Sequence, residues 1–409
     1  MVSAPRPGSG ADGILGVEPR LVFEPAGEAE AREAMQACAR DRLRVAFVGG
    51  GTDLGLGNPP SGLDAVIRTG RMARVLEHAP HDQIVRVEAG ITLSALQAAL
   101  LPHRQRLALD PPFPARATAG GLLCANGFGP LRTARGSARD LVIGATFIRA
   151  DGVLAHGGGK VVKNVAGFDL PRLLFGSLGT LGLVTSVNFR LHPLPEEEAT
   201  LAFPGLSPAA VRGLVGDMRQ AQLEPAAVAA IWAGGSLDLL VRFEGFGPGV
   251  SGQVERLLAV AGKARASGGR LAPPQAAAAW ARQQTAREVG PFRARLAIPP
   301  ASLEVGTRAL GTLLAALPGG AAVWYPTLGL GFAGGAPSGA EAVATAAGDA
   351  RGALATSGGW LAVNDAPPEV RARLDAWGPA PATLALQRRL KAQLDPEGRL
   401  APGRFVGGI

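Results

Sequence analysis

The sequence predicts an α+β protein whose first half is α/β and whose second half rests on a mainly antiparallel sheet. Two observations carry this. Residues 20–54 read as strand, amphipathic helix and apolar strand, the start of a βαβ unit. Between residues 193 and 198 the composition changes, and beyond it strands and helices follow one another as strand, helix, strand, strand, helix. A length of 409 residues suits two or three domains at about 150 residues each.

The totals exclude several classes. Hydrophobic residues make up 47% of the chain, enough for real cores, so this is not a disordered chain. The net charge is +8, but the arginines are scattered among alanines and glycines with no basic run and little aromatic interleaving, which argues against a nucleic-acid partner. Cys38 and Cys124 are too few for an iron–sulfur cluster or a disulfide framework, which predicts a reduced, cytoplasmic protein. Residues 1–12 lack the apolar core of a secretion signal. Residues 309–340 carry no charge, yet their eight glycines and three prolines predict helix, turn and strand rather than a transmembrane span. No residue set points to a metal.

The strand at residues 44–48 ends in RVAFVGGGTDL. Val45, Phe47 and Val48 suit a buried strand. Gly49, Gly50 and Gly51 remove every Cβ, so successive N–H groups can converge on an oxyanion. Thr52 adds a hydroxyl, and Asp53 can hold the turn by accepting backbone hydrogen bonds. The stretch alone reads equally as a pyrophosphate cradle or as a glycine-rich turn. It is not the Rossmann fingerprint, which would need glycine at Leu54. A Walker loop at Gly157–Lys160 is excluded by Leu154 and Val161.

The remaining elements follow in order. Short strands are expected at residues 65–68, 75–77 and 84–87, then a turn at Gly90 into a helix capped by Thr92 or Ser94. A second glycine pair, Gly120-Gly121, follows Thr118, and two glycine loops in one domain suit one extended ligand. Residues 137–155 read as a hairpin turning at Asp151-Gly152. A glycine-dense stretch then runs to Gly182, with a short helix at 170–175 and a strand at 183–191. In the second half, strands are expected at 200–203, 226–232, 237–243, 292–298, 321–330 and 360–364, and helices at 208–222, 252–263, 301–317 and 340–354. The segments around Gly268 and Gly334 read as surface connections. The end of the chain reads as a helix, LALQRRLKAQL, followed by two turns; its apolar face of Leu386, Leu390 and Leu394 needs a partner surface.

VGGGTDL, VRVEAGITLSALQAAL, DPP, ATAGGLLCANGFGP, GSARDLVIGATFI, KVVKNVAGFDL and GSLGTLGLVT occur in one order over residues 48–185, and LKAQLDPEGRLAPGRF closes the chain. This series resembles the PCMH-type (vanillyl-alcohol oxidase type) FAD-binding domain, and within it the FAD-binding subunits of bacterial glycolate oxidases. The resemblance implies a PCMH-type domain of two α/β subdomains over residues 1–195, an α+β antiparallel-sheet cap over 196–380, and a closing segment, 381–409, that returns to the first domain. It implies FAD, with Gly49, Gly50, Gly51, Thr52 and Asp53 on the pyrophosphate, and Thr118, Gly120 and Gly121 flanking flavin and pyrophosphate. Asn126, Gly127, Arg139 and Asp140 would lie on the walls of the same cleft, and Gly179, Gly182 and Val184 would bring backbone close to FAD. Relatives that bind FAD covalently use a histidine in or near these loops; here Asp53 and Leu54 follow the glycines, so FAD is expected to be non-covalent. On this placement, valine at Gly50 would occupy the phosphate approach.

Lys160 and Lys163 suit either an anion or solvent, Asn164 and Asp169 suit either loop or ligand, and His156 reads as structural. Hydroxy-acid oxidation needs a base for the hydroxyl proton and a cation for the carboxylate. Arg242, Arg293 and Arg295 could supply the cation, but no histidine follows His192 and Tyr325 is the only tyrosine. No catalytic residue is therefore assigned. The expected role is an FAD-binding subunit that acts on a small 2-hydroxy acid with a catalytic flavoprotein and an iron–sulfur subunit, in the cytoplasm or at the inner face of the membrane through those partners. A self-sufficient FAD-dependent hydroxy-acid oxidase and a flavin-less assembly subunit are the alternatives.

Overall fold

The computed structural model describes residues 4–160 and 168–409. Lys163 and Asn164 lie outside the described residues. The chain divides into two compact units, one of Met1–Gly129, Gly136–Leu194 and Pro379–Ile409, the other of Pro130–Arg135 and Pro195–Gly378.

The first unit holds two principal sheets. One is four-stranded, in the order Arg6–Pro7, Leu21–Phe23, Ala65–Arg68, Val45–Val48, and its last three strands run parallel. The helix Glu28–Arg40 makes the crossover and buries Ala31, Ala34, Met35 and Cys38, the stripe that its 3.6-residue period dictates. The other sheet is antiparallel, in the order Val75–Ala79, Ile84–Glu88, Leu183–Arg190, Val142–Ile148, Leu154–Gly158. Its apolar face packs on the helices Leu93–Leu100 and Ala119–Ala125. Thr92 caps the first of these, its hydroxyl accepting from the Ala95 N–H at 3.2 Å. Asp140 and Leu141, expected in the hairpin, instead belong to a helical turn, Ala138–Leu141, that precedes the strand.

The last segment of the chain is built into this unit by buried charge. Val45 N–H donates to the Arg399 carbonyl at 2.9 Å, and Ala401 N–H donates to the Val45 carbonyl at 2.8 Å. The Arg399 guanidinium is 6% exposed and donates to the carbonyls of Ala150, Cys38 and Leu43. The helix Leu384–Leu394 differs from its expected amphipathic face. Leu386 is 55% exposed, and the one residue the helix buries is Lys391. Leu390 and Leu394 are half-buried, with Leu394 packed on a core, so the expected stripe is partly met and the buried cation adds to it.

The second unit is an eight-stranded antiparallel sheet in the order Gly269–Arg270, Glu197–Leu206, Ser236–Gly245, Ala227–Ala233, Ala321–Tyr325, Leu330–Gly335, Phe292–Ala297, Trp360–Asp365. One face packs its core on the helices Pro208–Gln220, Gly247–Lys263, Leu303–Ala315 and Ala340–Ala355. The expected single strand at 321–330 is two strands, because Pro326 and Gly329, at φ 65°, turn the chain back. Gly334, expected in a surface connection, lies buried in the second of them. The helix Pro273–Glu288 has no counterpart among the expected elements. It buries Ala276, Gln283, Ala286 and Arg287, so polar and small residues replace the apolar period that marks a helix.

Arg399→Met is expected to cost about 1–3 kcal/mol, since it strands buried carbonyls without shortening the apolar stem. Equilibrium denaturation of the full chain measures it.

Candidate functional site

Three glycine loops and the end of the chain meet in one cleft of the first unit. The cleft holds about 810 Å³ of space outside atoms, open solvent included.

The first wall is the strand Val45–Val48 and the loop after it. Strand pairing ends where Thr69 N–H donates to the Val48 carbonyl, and Gly49 to Leu54 continue along the cleft. Among the described residues, the N–H groups of Gly50, Gly51 and Thr52 have no protein acceptor. Three successive backbone donors without a protein acceptor, on residues that line a cleft, suit an anion. Each glycine answers a separate constraint. A Cβ on Gly49 would run into the Thr118 hydroxyl, and one on Gly50 into the Arg116 carbonyl. Gly51 sits at φ 72°, where an L-residue is strained. The substituent direction at Gly50 therefore points into protein rather than across the phosphate approach.

The second wall begins at Thr118, the N-cap of Ala119–Ala125, whose hydroxyl accepts from the Gly121 N–H at 3.3 Å. Gly120 N–H donates to the Ala89 carbonyl at 2.8 Å, and a Cβ there would stand 2.8 Å from that of Ala89. Glycine is what lets this helix start lie against the strand end. The third loop is pinned to the same helix, with Gly176 N–H donating to the Leu123 carbonyl and Leu178 N–H to that of Cys124. It then presents Gly179, at φ 76° against the Phe47 ring, and Gly182, close to Phe147. Val184 completes this wall.

Gly49, Gly50, Gly51, Thr52, Asp53, Thr118, Gly120, Gly121, Gly179, Gly182 and Val184 are thus brought together. Four expected residues are not among the residues that line the cleft. Asn126 takes the left-handed conformation, φ 58°, that ends its helix, and Gly127 closes the same turn through Leu122. Arg139 is exposed, and the Asp140 carboxylate accepts from Ser137 N–H and hydroxyl at 2.8 and 2.9 Å, capping its own short helix. Local capping claims the Asp140 side chain and the backbone of Asn126 and Gly127.

Sequence reasoning missed Arg116 and Arg404. Arg116 reaches the Gly50 carbonyl from an exposed position at 3.4 Å, leaving a cation beside the cradle. Arg404, in the closing PGRF, is 4% exposed, lines the cleft and donates to the Leu54 and Leu56 carbonyls at 2.9 and 2.7 Å. Cys124 also lines the cleft, and burial pushes its thiol up to about 11, so it stays protonated at neutral pH.

None of the five histidines lines this cleft. His78 shares a 2.9 Å hydrogen bond with Gln105 and stacks edge-on with His103, and His156 is exposed at a sheet edge. The candidate carboxylate ligands of the second unit are occupied. Arg293 pairs with Asp365 at 2.9 Å, Arg242 lies over the Trp280 ring, and Arg295 lies near that of Trp360. Tyr325 is fully buried, its hydroxyl accepting from Gln283 at 2.7 Å.

The comparisons with known proteins agree with this geometry. Residues 19–158 match the FAD binding domain family. FAD is the cofactor of this domain, and its pyrophosphate suits the three unpaired donors of Gly50, Gly51 and Thr52. The chain is 32% identical over 170 residues to glycolate oxidase subunit GlcE of Escherichia coli, covering 41% of this chain and 48% of that protein. It is 34% identical over 187 residues to glycolate oxidase subunit GlcD of Bacillus subtilis, 45% of this chain and 39% of that protein. A D-lactate dehydrogenase of Archaeoglobus fulgidus is 32% identical over 186 residues, 45% of this chain and 41% of that protein. The matches thus span less than half of these curated relatives. In fold the chain is similar to p-cresol methylhydroxylase, at TM-score 0.73, 15% identity and coverage of 94% of this chain and 88% of that one. An alkyldihydroxyacetonephosphate synthase gives TM-score 0.71 at 17% identity, covering 95% and 78%. The fold is therefore the PCMH type, α+β as expected.

Two substitutions separate the roles of adjacent glycines. Gly50→Ala is expected to cost about 1–3 kcal/mol even without cofactor, because its Cβ displaces the Arg116 backbone. Gly51→Ala should cost about 1–2 kcal/mol from its positive φ alone. Thermal denaturation of the apo-proteins measures both.

Proposed function

We propose that this chain is the FAD-binding subunit of a glycolate-oxidase-type complex that oxidises a small 2-hydroxy acid. It would work with a catalytic flavoprotein and an iron–sulfur subunit, in the cytoplasm or at the membrane face through those partners. The observation that carries the cofactor half of this reading is the row of three unpaired N–H donors beside Arg116. In it, Gly49 to Asp53 hold the pyrophosphate, and Thr118, Gly120 and Gly121 flank it from the second wall. Gly179, Gly182 and Val184 bring backbone against the flavin, non-covalently. When bound, FAD supplies two-electron redox chemistry. The chain's own contribution is to neutralise the phosphates, orient the ring and keep water from it.

The names of the matched relatives support the hydroxy-acid class. Dependence on partners is supported by the lack of a histidine along the cleft and of any histidine after His192. Such a site can hold a flavin and still lack the base that substrate oxidation needs.

The purified chain is expected to be yellow, to hold one FAD per chain, and to keep its colour with glycolate or D-lactate until its partner subunits are added. Bleaching by the chain alone would make it a self-sufficient enzyme; a colourless chain that takes up no FAD would reduce it to an assembly subunit. Arg116→Gln is expected to weaken FAD binding by about tenfold at low salt, a loss of about 1.4 kcal/mol, read by fluorescence titration.

A further inference from the structure

We propose that Lys391 is a positioning residue for the cofactor cleft, holding two of its walls together without touching the cofactor. The proposal rests on the FAD reading of that cleft. The Lys391 ammonium makes three hydrogen bonds in the interior: to the Thr180 carbonyl at 2.9 Å, the Leu400 carbonyl at 2.7 Å and the Asp395 carboxylate at 2.6 Å. An ammonium has three donors, so its capacity is filled. No proton is left over for a ligand, and Lys391 does not line the cleft.

What it joins is informative. Thr180 lies between Gly179 and Gly182, both on the cleft, so the bond to its carbonyl fixes the third glycine loop. Leu400 bridges Val45, and Ala401 lines the cleft while its N–H bonds the Val45 carbonyl. Val45 begins the strand that delivers Gly49 to Gly51. The same Asp395 oxygen that pairs with Lys391 accepts from Leu400 N–H at 2.7 Å, which locks the turn in place. One ammonium thereby ties the closing segment to the flavin-side loop, and the closing segment carries that tie to the pyrophosphate strand. Burial lowers the pKa of Lys391, with Asp395 opposing the shift. A purely apolar residue could fill the same space, but it would leave the Thr180 carbonyl without its donor.

Three variants of the full chain test this. Lys391→Met removes the tie. Lys391→Met with Asp395→Leu removes both charges, so that no buried carboxylate is stranded and the chain can fold. Leu100→Ala opens a cavity in the same unit away from the cleft, as a control for lost stability. All are measured well below their unfolding temperatures. Both Lys391 variants are expected to bind FAD at least tenfold more weakly than wild type, and to exchange the Leu178 and Thr180 amides faster even without FAD. The control should lose thermal stability while keeping wild-type affinity and exchange at those amides. Wild-type affinity in the double variant, or unchanged exchange at Leu178 and Thr180, would overturn the positioning role. If the wild-type chain itself takes up no FAD, the cofactor reading fails, while the exchange result still decides whether Lys391 holds the loop.

Discussion

The parallel pairing of Val45 with Leu400 is the constraint on which the first unit depends. The strand Val45–Val48 has Ala65–Arg68 on one side and the end of the chain on the other. Both partners fix its register, and its register fixes where the triple glycine emerges. The closing segment buries Leu400 and Ala401 in two cores, and Lys391, Asp395, Arg399 and Arg404 add to that, each buried and hydrogen-bonded. Buried charges are costly unless satisfied, and satisfied ones are geometrically exacting. The chain uses that exactness to place a segment contributed from some 350 residues away, as the Arg404 bond to the Leu54 carbonyl illustrates.

The cleft inverts this logic. Where the closing segment satisfies every donor of Lys391, the glycine loop leaves three backbone donors in succession without protein partners. Close packing supplies the reason for glycine at Gly49, Gly50 and Gly120, whose missing Cβ atoms let three chain segments converge. The absent side chains are the structural part of this loop, and the donors are the part on which the proposed function draws. Among the described residues that line the cleft there is no histidine, and the proposal therefore keeps cofactor binding and catalysis apart.

Much of this was legible from residues alone, and the failures have physical causes. The helix Glu28–Arg40 and the strand before the glycines follow from periodicity, which local packing respects. The glycine loops were legible because the lack of Cβ is visible in sequence. The helix Pro273–Glu288 was not, because its buried face uses Gln283 and Arg287 in hydrogen bonds and ring contacts instead of an apolar stripe. For the same reason the closing helix was read by its leucines, although its buried residue is Lys391. Asn126 and Asp140 lay in the right stretches but serve as caps, a distinction that depends on backbone angles no residue pattern prints. Arg116 and Arg404 act across long sequence separations, beyond any local motif.

The central claim is that the Gly50, Gly51 and Thr52 amides hold the FAD pyrophosphate. Amide hydrogen exchange at those three positions, with and without saturating FAD, tests it most directly. The account predicts marked slowing at all three with FAD, and also with ADP, which carries the same pyrophosphate. Stoichiometric FAD binding that leaves their exchange unchanged would contradict it.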